Sequence, residues 1–173
     1  MAEPADRFYE SQGLRLHYAY WGNESAPPLI LIHGGLDHCR KWDAIATSLQ
    51  SRFHVIAPDR RGHGDSDWAR GSSYSLSDNV YDLSRLLRHA GLKDAAIVGH
   101  SMGGMVALAY AGTCPEQVLR LGVLDGAFLS AARPAPMHER MVRWIEQLDR
   151  ISEYEPSVFR TVEEAAQRLS VRN

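Results

Sequence analysis

The segment Gly99-His100-Ser101-Met102-Gly103 places a serine with glycine two positions away on either side, the G-x-S-x-G spacing of a nucleophile held on a sharp strand-to-helix turn. The spacing has a chemical purpose. A hydroxyl exposed on such a turn can attack an acyl carbon, and small flanking residues let strand and helix come close enough to make the bend. The helix that follows presents unpaired N–H groups at its first turn, which favour the negative charge developing on the attacked oxygen. Ser101 is therefore the candidate nucleophile, and the Met102 N–H a candidate donor to that oxygen. A second donor is expected from His33-Gly34-Gly35. Glycines there permit conformations that other residues resist, and a loop leaving the carboxyl end of a parallel strand can aim its amides at a site above the sheet. Gly35 is the candidate, with Leu36 the alternative. His33 itself reads as a structural hydrogen-bonding residue, because it leaves the strand end rather than facing the serine.

Two further patterns compete for attention. Asp59-Arg-Arg-Gly-His-Gly-Asp-Ser66 is another glycine-rich loop, and its charges could serve a phosphate. The reading preferred here has Asp59 and Arg61 bracing the turn from within. Gly99 and Gly104 also hold the outer positions of the dinucleotide fingerprint G-x-G-x-x-G. Ser101 replaces the middle glycine that close approach to a pyrophosphate needs, and the motif comes late in the chain, which argues against a nucleotide site.

The elements that must position these residues are legible in the apolar pattern. Leu14–Tyr20 alternates with period two and ends at Trp21-Gly22-Asn23, a strand and turn. Leu29–Ile32 is a short apolar run without alternation, as expected of a strand covered on both faces, Ala95–Val98 reads as another buried strand, and Phe53–Ala57 and Leu119–Leu124 as further strands. Between them, Trp42, Ile45, Ala46 and Leu49 share a helical face, and Leu76, Val80, Leu83 and Leu87 form a stripe capped by Ser75 and closed by Gly91. Met102–Gly112 reads as a helix of small residues. The alternation predicts a mostly parallel, doubly wound α/β sheet. After Asp125 the character changes: Gly126–Pro136 reads as a linker, Met137–Ile151 as an amphipathic helix, and Thr161–Glu164 as a capping box opening a short helix.

Composition narrows the function classes. The 173 residues are 45% hydrophobic and 23% charged, with 19 Lys+Arg against 21 Asp+Glu and a net charge of −2. That describes an ordinary globular chain, and no basic excess suggests a nucleic-acid partner. No apolar run approaches the roughly 20 residues of a membrane span. Two cysteines and an N-terminus without an apolar leader point to a reducing, cytoplasmic setting.

Taken together, His33-Gly34-Gly35, Asp59-x-Arg61-Gly62-x-Gly64-x-Ser66 and Gly99–Gly104 resemble the N-terminal half of an α/β-hydrolase-fold enzyme. They are most similar to the branch holding small-molecule esterases, lactonases, carbon–carbon bond hydrolases and perhydrolases. The resemblance implies a core over residues 1–125, ending after the sixth strand of the family fold, and the beginning of a helical cap over 126–173. It implies a small-molecule substrate, no cofactor and no metal. Ser101 would be the nucleophile, Met102 and Gly35 the oxyanion hole, and Leu36, His100 and Trp144 candidates to line the substrate site. Family members with an aspartate nucleophile, the epoxide hydrolases and haloalkane dehalogenases, are disfavoured by serine at position 101. The family's triad runs in the order serine, acid, histidine. Asp125, ending the strand after the serine, is the candidate acid. Only His138 follows Ser101 among the histidines, and it sits at the start of the amphipathic helix, so the base is expected outside these residues. A non-catalytic ligand-binding or regulatory protein is the alternative. A sheet ending at Leu119–Leu124 would leave a hydrophobic edge and invite self-association.

Overall fold

The computed structural model describes residues 3–71, 73–126, 135–152 and 158–170. Its contacts divide the chain into two units, residues 1–129 and 130–173.

The first unit is a six-stranded mixed sheet. In chain order the strands are β1 (Ala5–Ser11), β2 (Leu14–Tyr20), β3 (Pro28–Ile32), β4 (His54–Pro58), β5 (Ala95–His100) and β6 (Val118–Leu124). In space they run β1-β2-β4-β3-β5-β6. β1, β2 and β4 pair antiparallel, whereas β4, β3, β5 and β6 are parallel. The helices are α1 (Asp43–Leu49), α2 (Leu76–His89) and α3 (Met102–Thr113), with a 3₁₀ turn at Cys39–Trp42.

β3 shows why its run lacks alternation. Ile30 and Ile32 pack into the layer made with Leu83, Leu86 and Leu87 of α2 and Val106, Ala107 and Tyr110 of α3. Leu29 and Leu31 point the other way, toward Cys39, Trp42 and Ala46. Both faces are covered, so both parities must be apolar. α2 begins at the expected cap: the Ser75 hydroxyl accepts the Asp78 N–H at 3.1 Å, and the Asp78 carboxylate accepts the Ser75 N–H at 2.9 Å. It ends at Gly91, whose φ of 67° is the left-handed conformation glycine adopts freely.

β1 does not emerge from the sequence pattern. It is an edge strand with little burial beyond Tyr9 and Ser11, so its side chains carry a weak apolar alternation. It joins β2 through a two-residue turn at Gln12-Gly13, both at positive φ (51° and 76°), as the tightest hairpins require.

In the second unit, α4 spans Met137–Ser152 and α5 spans Val162–Ser170. The Thr161 hydroxyl accepts the Glu164 N–H at 3.1 Å, and the Glu164 carboxylate reaches back to the Arg160 N–H at 3.0 Å. Among the described residues no helix is long and apolar enough to cross a membrane.

Candidate active site

The strand order reverses beside β3: the chain passes from β3 to β4 on one side and resumes with β5 on the other. Loops at the carboxyl ends of β3 and β5 therefore flank a crevice at the switch point, where open α/β sheets place their sites. His33-Gly34-Gly35 follows β3 and Ser101 follows β5.

Ser101 has φ 50° and ψ −120°, a strained conformation for a residue with a side chain. Its surroundings hold it there. Its N–H donates to the Leu124 carbonyl at 2.8 Å, and its own carbonyl accepts from Gly104 at 2.9 Å and Met105 at 3.2 Å. A side chain at Gly103 would fall on the carbonyls of Ile32 and His33, and one at Gly99 on the backbone of Gly103. The two glycines of the motif are thus the contact points of strand, turn and helix. No side-chain cap closes the start of α3, leaving the N–H groups of Met102 and Gly103 without intrahelical acceptors.

The loop after β3 lies against the serine. A Cβ built on Gly34 would sit 3.3 Å from Ser101 Cβ and 2.9 Å from His100 Nδ1. His33 is fully buried and bonded at both ring nitrogens: Nδ1–H donates to the Gly34 carbonyl at 2.7 Å, and Nε2 accepts the Arg60 N–H at 3.0 Å. Burial, with the Arg60 guanidinium nearby, lowers its pKa to about 4. It is a neutral structural residue and no base. Leu36, at φ 56°, is fully exposed.

The Asp59–Ser66 loop is built from inside. The Asp59 carboxylate accepts the Cys39 N–H at 2.6 Å and the Asp65 N–H at 3.0 Å, and pairs with His17 Nδ1 at 2.8 Å. Burial alone would raise its pKa, but these donors outweigh that and hold it near 2. Arg61 forks onto both Asp82 oxygens at 2.7 Å and reaches the Ser73 carbonyl and Gln12. Both residues are about 1% exposed, so their charges are spent on the fold. Among the described residues, His17, Cys39 and Asp59 form a buried cluster with the chemistry of a metal site. The His17–Asp59 hydrogen bond occupies it, and burial with the Asp59 charge drives the Cys39 thiol up, away from thiolate.

Arg60 was not visible as a site residue in the sequence. It is buried, its charge has no carboxylate partner, and its Nη2 donates to the Gly34 carbonyl at 2.9 Å. Nothing in a loop carrying four charged residues, Asp59, Arg60, Arg61 and Asp65, marks Arg60 as different.

A cavity of about 150 Å³ beside the turn is lined by His33, Lys41, Trp42, Ile45, His100 and Leu124. His100 Nδ1 is buried there without a hydrogen-bond partner. Met102 is partly exposed at the head of α3. Asp125 follows β6 at φ 49° and is exposed, and among the described residues no hydrogen bond joins it to a histidine. No hydrogen bond joins Ser101 to a described histidine either. His138 and Trp144 lie on α4 in the second unit, where Trp144 borders a groove with Met137, Arg140 and Met141.

A strained serine between a buried strand and an uncapped helix, facing a glycine loop, defines a fold with a nucleophile turn. The chain matches the model of the alpha/beta hydrolase fold over residues 27–170 and belongs to that family. Epoxide hydrolase 4 of Mus musculus is 32% identical over 84% of this chain and 39% of its own length. Lipase LipV of Mycobacterium tuberculosis (strain H37Rv) is 35% identical over 78% of this chain and 51% of its own. Among solved structures, a thioesterase domain from the curacin biosynthetic pathway superposes with a TM-score of 0.84 at 28% identity, covering 99% of this chain and 62% of that one. The chain thus spans about one third to one half of the length of the curated relatives it matches.

Proposed function

We propose that this chain carries the nucleophile and oxyanion hole of a serine hydrolase acting on a small-molecule ester, thioester, lactone or activated carbon–carbon bond. The observation that carries the reading is the Ser101 backbone, held at φ 50° between β5 and an uncapped α3. In the reaction, Ser101 Oγ bonds to the acyl carbon and the carbonyl electron pair moves onto oxygen. The N–H groups of Met102 and Gly35 receive that charge. Collapse expels the leaving group, which takes up the serine's proton by way of a base, and water then cleaves the acyl-enzyme.

The base is assigned to a histidine outside the described residues, and Asp125 is its candidate orienting acid. Turnover by the 173-residue chain alone is accordingly expected to be weak. Leu36 and His100 flank the serine loop and are assigned to substrate contact. The two cysteines are free, in keeping with a reducing cytoplasmic setting. Likeness to a lipase and a thioesterase supports acyl chemistry; a serine in place of a carboxylate nucleophile weighs against epoxide opening.

A second reading, a ligand-binding protein that keeps the pocket without turnover, is favoured by the lack of a hydrogen bond from Ser101 to any described histidine. Hydrolysis of an activated aryl ester separates the two. Loss of that hydrolysis in Ser101→Ala is expected, while equal rates in both proteins would remove Ser101 from the chemistry.

A further inference from the structure

The Gly34 carbonyl and the Gly35 N–H belong to one peptide unit. Among the described residues all peptide bonds are trans, so the two bonds point in opposite directions in one plane and their dipoles add. The carbonyl end is held by two donors, His33 Nδ1–H at 2.7 Å and Arg60 Nη2 at 2.9 Å. The N–H end is the proposed oxyanion donor.

From this arrangement we infer that Arg60 is a positioning residue of the oxyanion hole: its guanidinium fixes the Gly34–Gly35 peptide plane from behind and polarises it, so that the Gly35 N–H is aimed and strengthened as a donor. The inference rests on the proposed serine mechanism and extends it to a residue that never touches substrate.

Three features of Arg60 support it. It is 6% exposed, so its field is weakly screened. No carboxylate neutralises it: its other contacts are the neutral His63 Nε2 at 3.3 Å and Asn79 Oδ1 at 3.5 Å, and its Nε has no partner. Arg61, next in the chain, shows the contrast, for its charge is cancelled by Asp82. Burial lowers the pKa of Arg60 only to about 10, so the positive charge persists at neutral pH. An unpaired buried cation is costly, and here its one short hydrogen bond to an acceptor outside its own loop falls on the oxyanion peptide. A peptide already hydrogen-bonded through its carbonyl donates more strongly through its N–H.

The test uses the 173-residue chain and a fluorophosphonate probe, whose phosphoryl oxygen takes the place of the developing oxyanion and whose capture needs no deacylation. Four variants are compared with the parent: Arg60→Gln, which keeps an N–H donor and removes the charge; Arg60→Lys, which keeps the charge; Asn79→Ala, which removes another Arg60 contact; and Ser101→Ala. Circular dichroism checks their folding. The expected result is a labelling rate lowered roughly tenfold in Arg60→Gln, less than the loss from deleting a donor outright. Arg60→Lys should recover most of it, and Asn79→Ala should stay within about twofold. The Gly34 carbonyl ¹³C resonance, a readout independent of labelling, should move upfield in Arg60→Gln and not in Asn79→Ala. Parent-like labelling in Arg60→Gln, or an unmoved Gly34 resonance, overturns the inference while leaving Ser101 in place. If Arg60→Gln fails to fold, Arg60→Lys decides: a rate as low as tenfold below the parent in that folded, charged variant overturns it. Undiminished labelling of Ser101→Ala would instead sink the serine mechanism itself.

Discussion

Ser101 occupies backbone space that costs a residue with a side chain about 1–3 kcal/mol, and the surrounding hydrogen bonds over-determine it. Removing the side chain should release that strain. Ser101→Gly is expected to raise the urea midpoint of unfolding, by about 1 kcal/mol in stability, while abolishing capture of a fluorophosphonate. An unchanged or lowered midpoint would mean the turn is not strained. Two buried histidines should titrate in opposite senses. For His17, burial lowers the pKa, but hydrogen bonds and charges from Asp59 and Asp6 outweigh it and raise the pKa. Its share of stability is full below the unfolded value of about 6.5 and is lost as pH rises through the raised one. His33, lowered to about 4, behaves in reverse: its share is present above about 6.5 and lost as pH falls toward 4. Ring resonances followed by NMR from pH 4 to 8 should show His33 neutral where His17 is charged; coincident titration would contradict both environments. Ser101 and its loop were legible at this scale because the motif's glycines answer to sterics that leave few alternatives. Arg60 was not, because its role depends on which carbonyl a flexible side chain finds across the fold.

At the scale of elements, the motif glycines are where β5, α3 and the β3 loop touch. In Gly103→Ala the new methyl would meet the Ile32 and His33 carbonyls, rigid backbone that can move only by separating α3 from the sheet. The expected loss is roughly 1–3 kcal/mol in thermal or urea unfolding, whereas Gly112→Ala, with open space around it, should be neutral or slightly stabilising. A loss in Gly103→Ala no larger than in Gly112→Ala would contradict the close approach. The doubly covered strands were readable because both of their faces must be apolar. β1 was not, because an edge strand buries little beyond Tyr9 and Ser11, and its turn, Gln12-Gly13, lacks the asparagine or aspartate that usually announces a tight hairpin.

For the whole molecule, β6 forms one edge of the sheet, and among the described residues it pairs with β5 alone. Leu119, Leu121 and Leu124 are 46%, 38% and 47% exposed along it, and its backbone presents a free row of donors and acceptors. The 173-residue chain is expected to self-associate through this edge. Light scattering across a dilution series should give a mass above the monomer that falls when Leu121→Lys puts a charge on the strand; a stable monomer of the unmodified chain at all concentrations would contradict it. The proposed chemistry turns on the hydroxyl at position 101, and the most direct measurement is peptide mapping by mass spectrometry after exposure to a fluorophosphonate. A single adduct on the Ser101 peptide is expected, forming faster as pH rises because no described histidine takes the serine's proton. An adduct at another serine, or none on a folded chain at any pH, would contradict it.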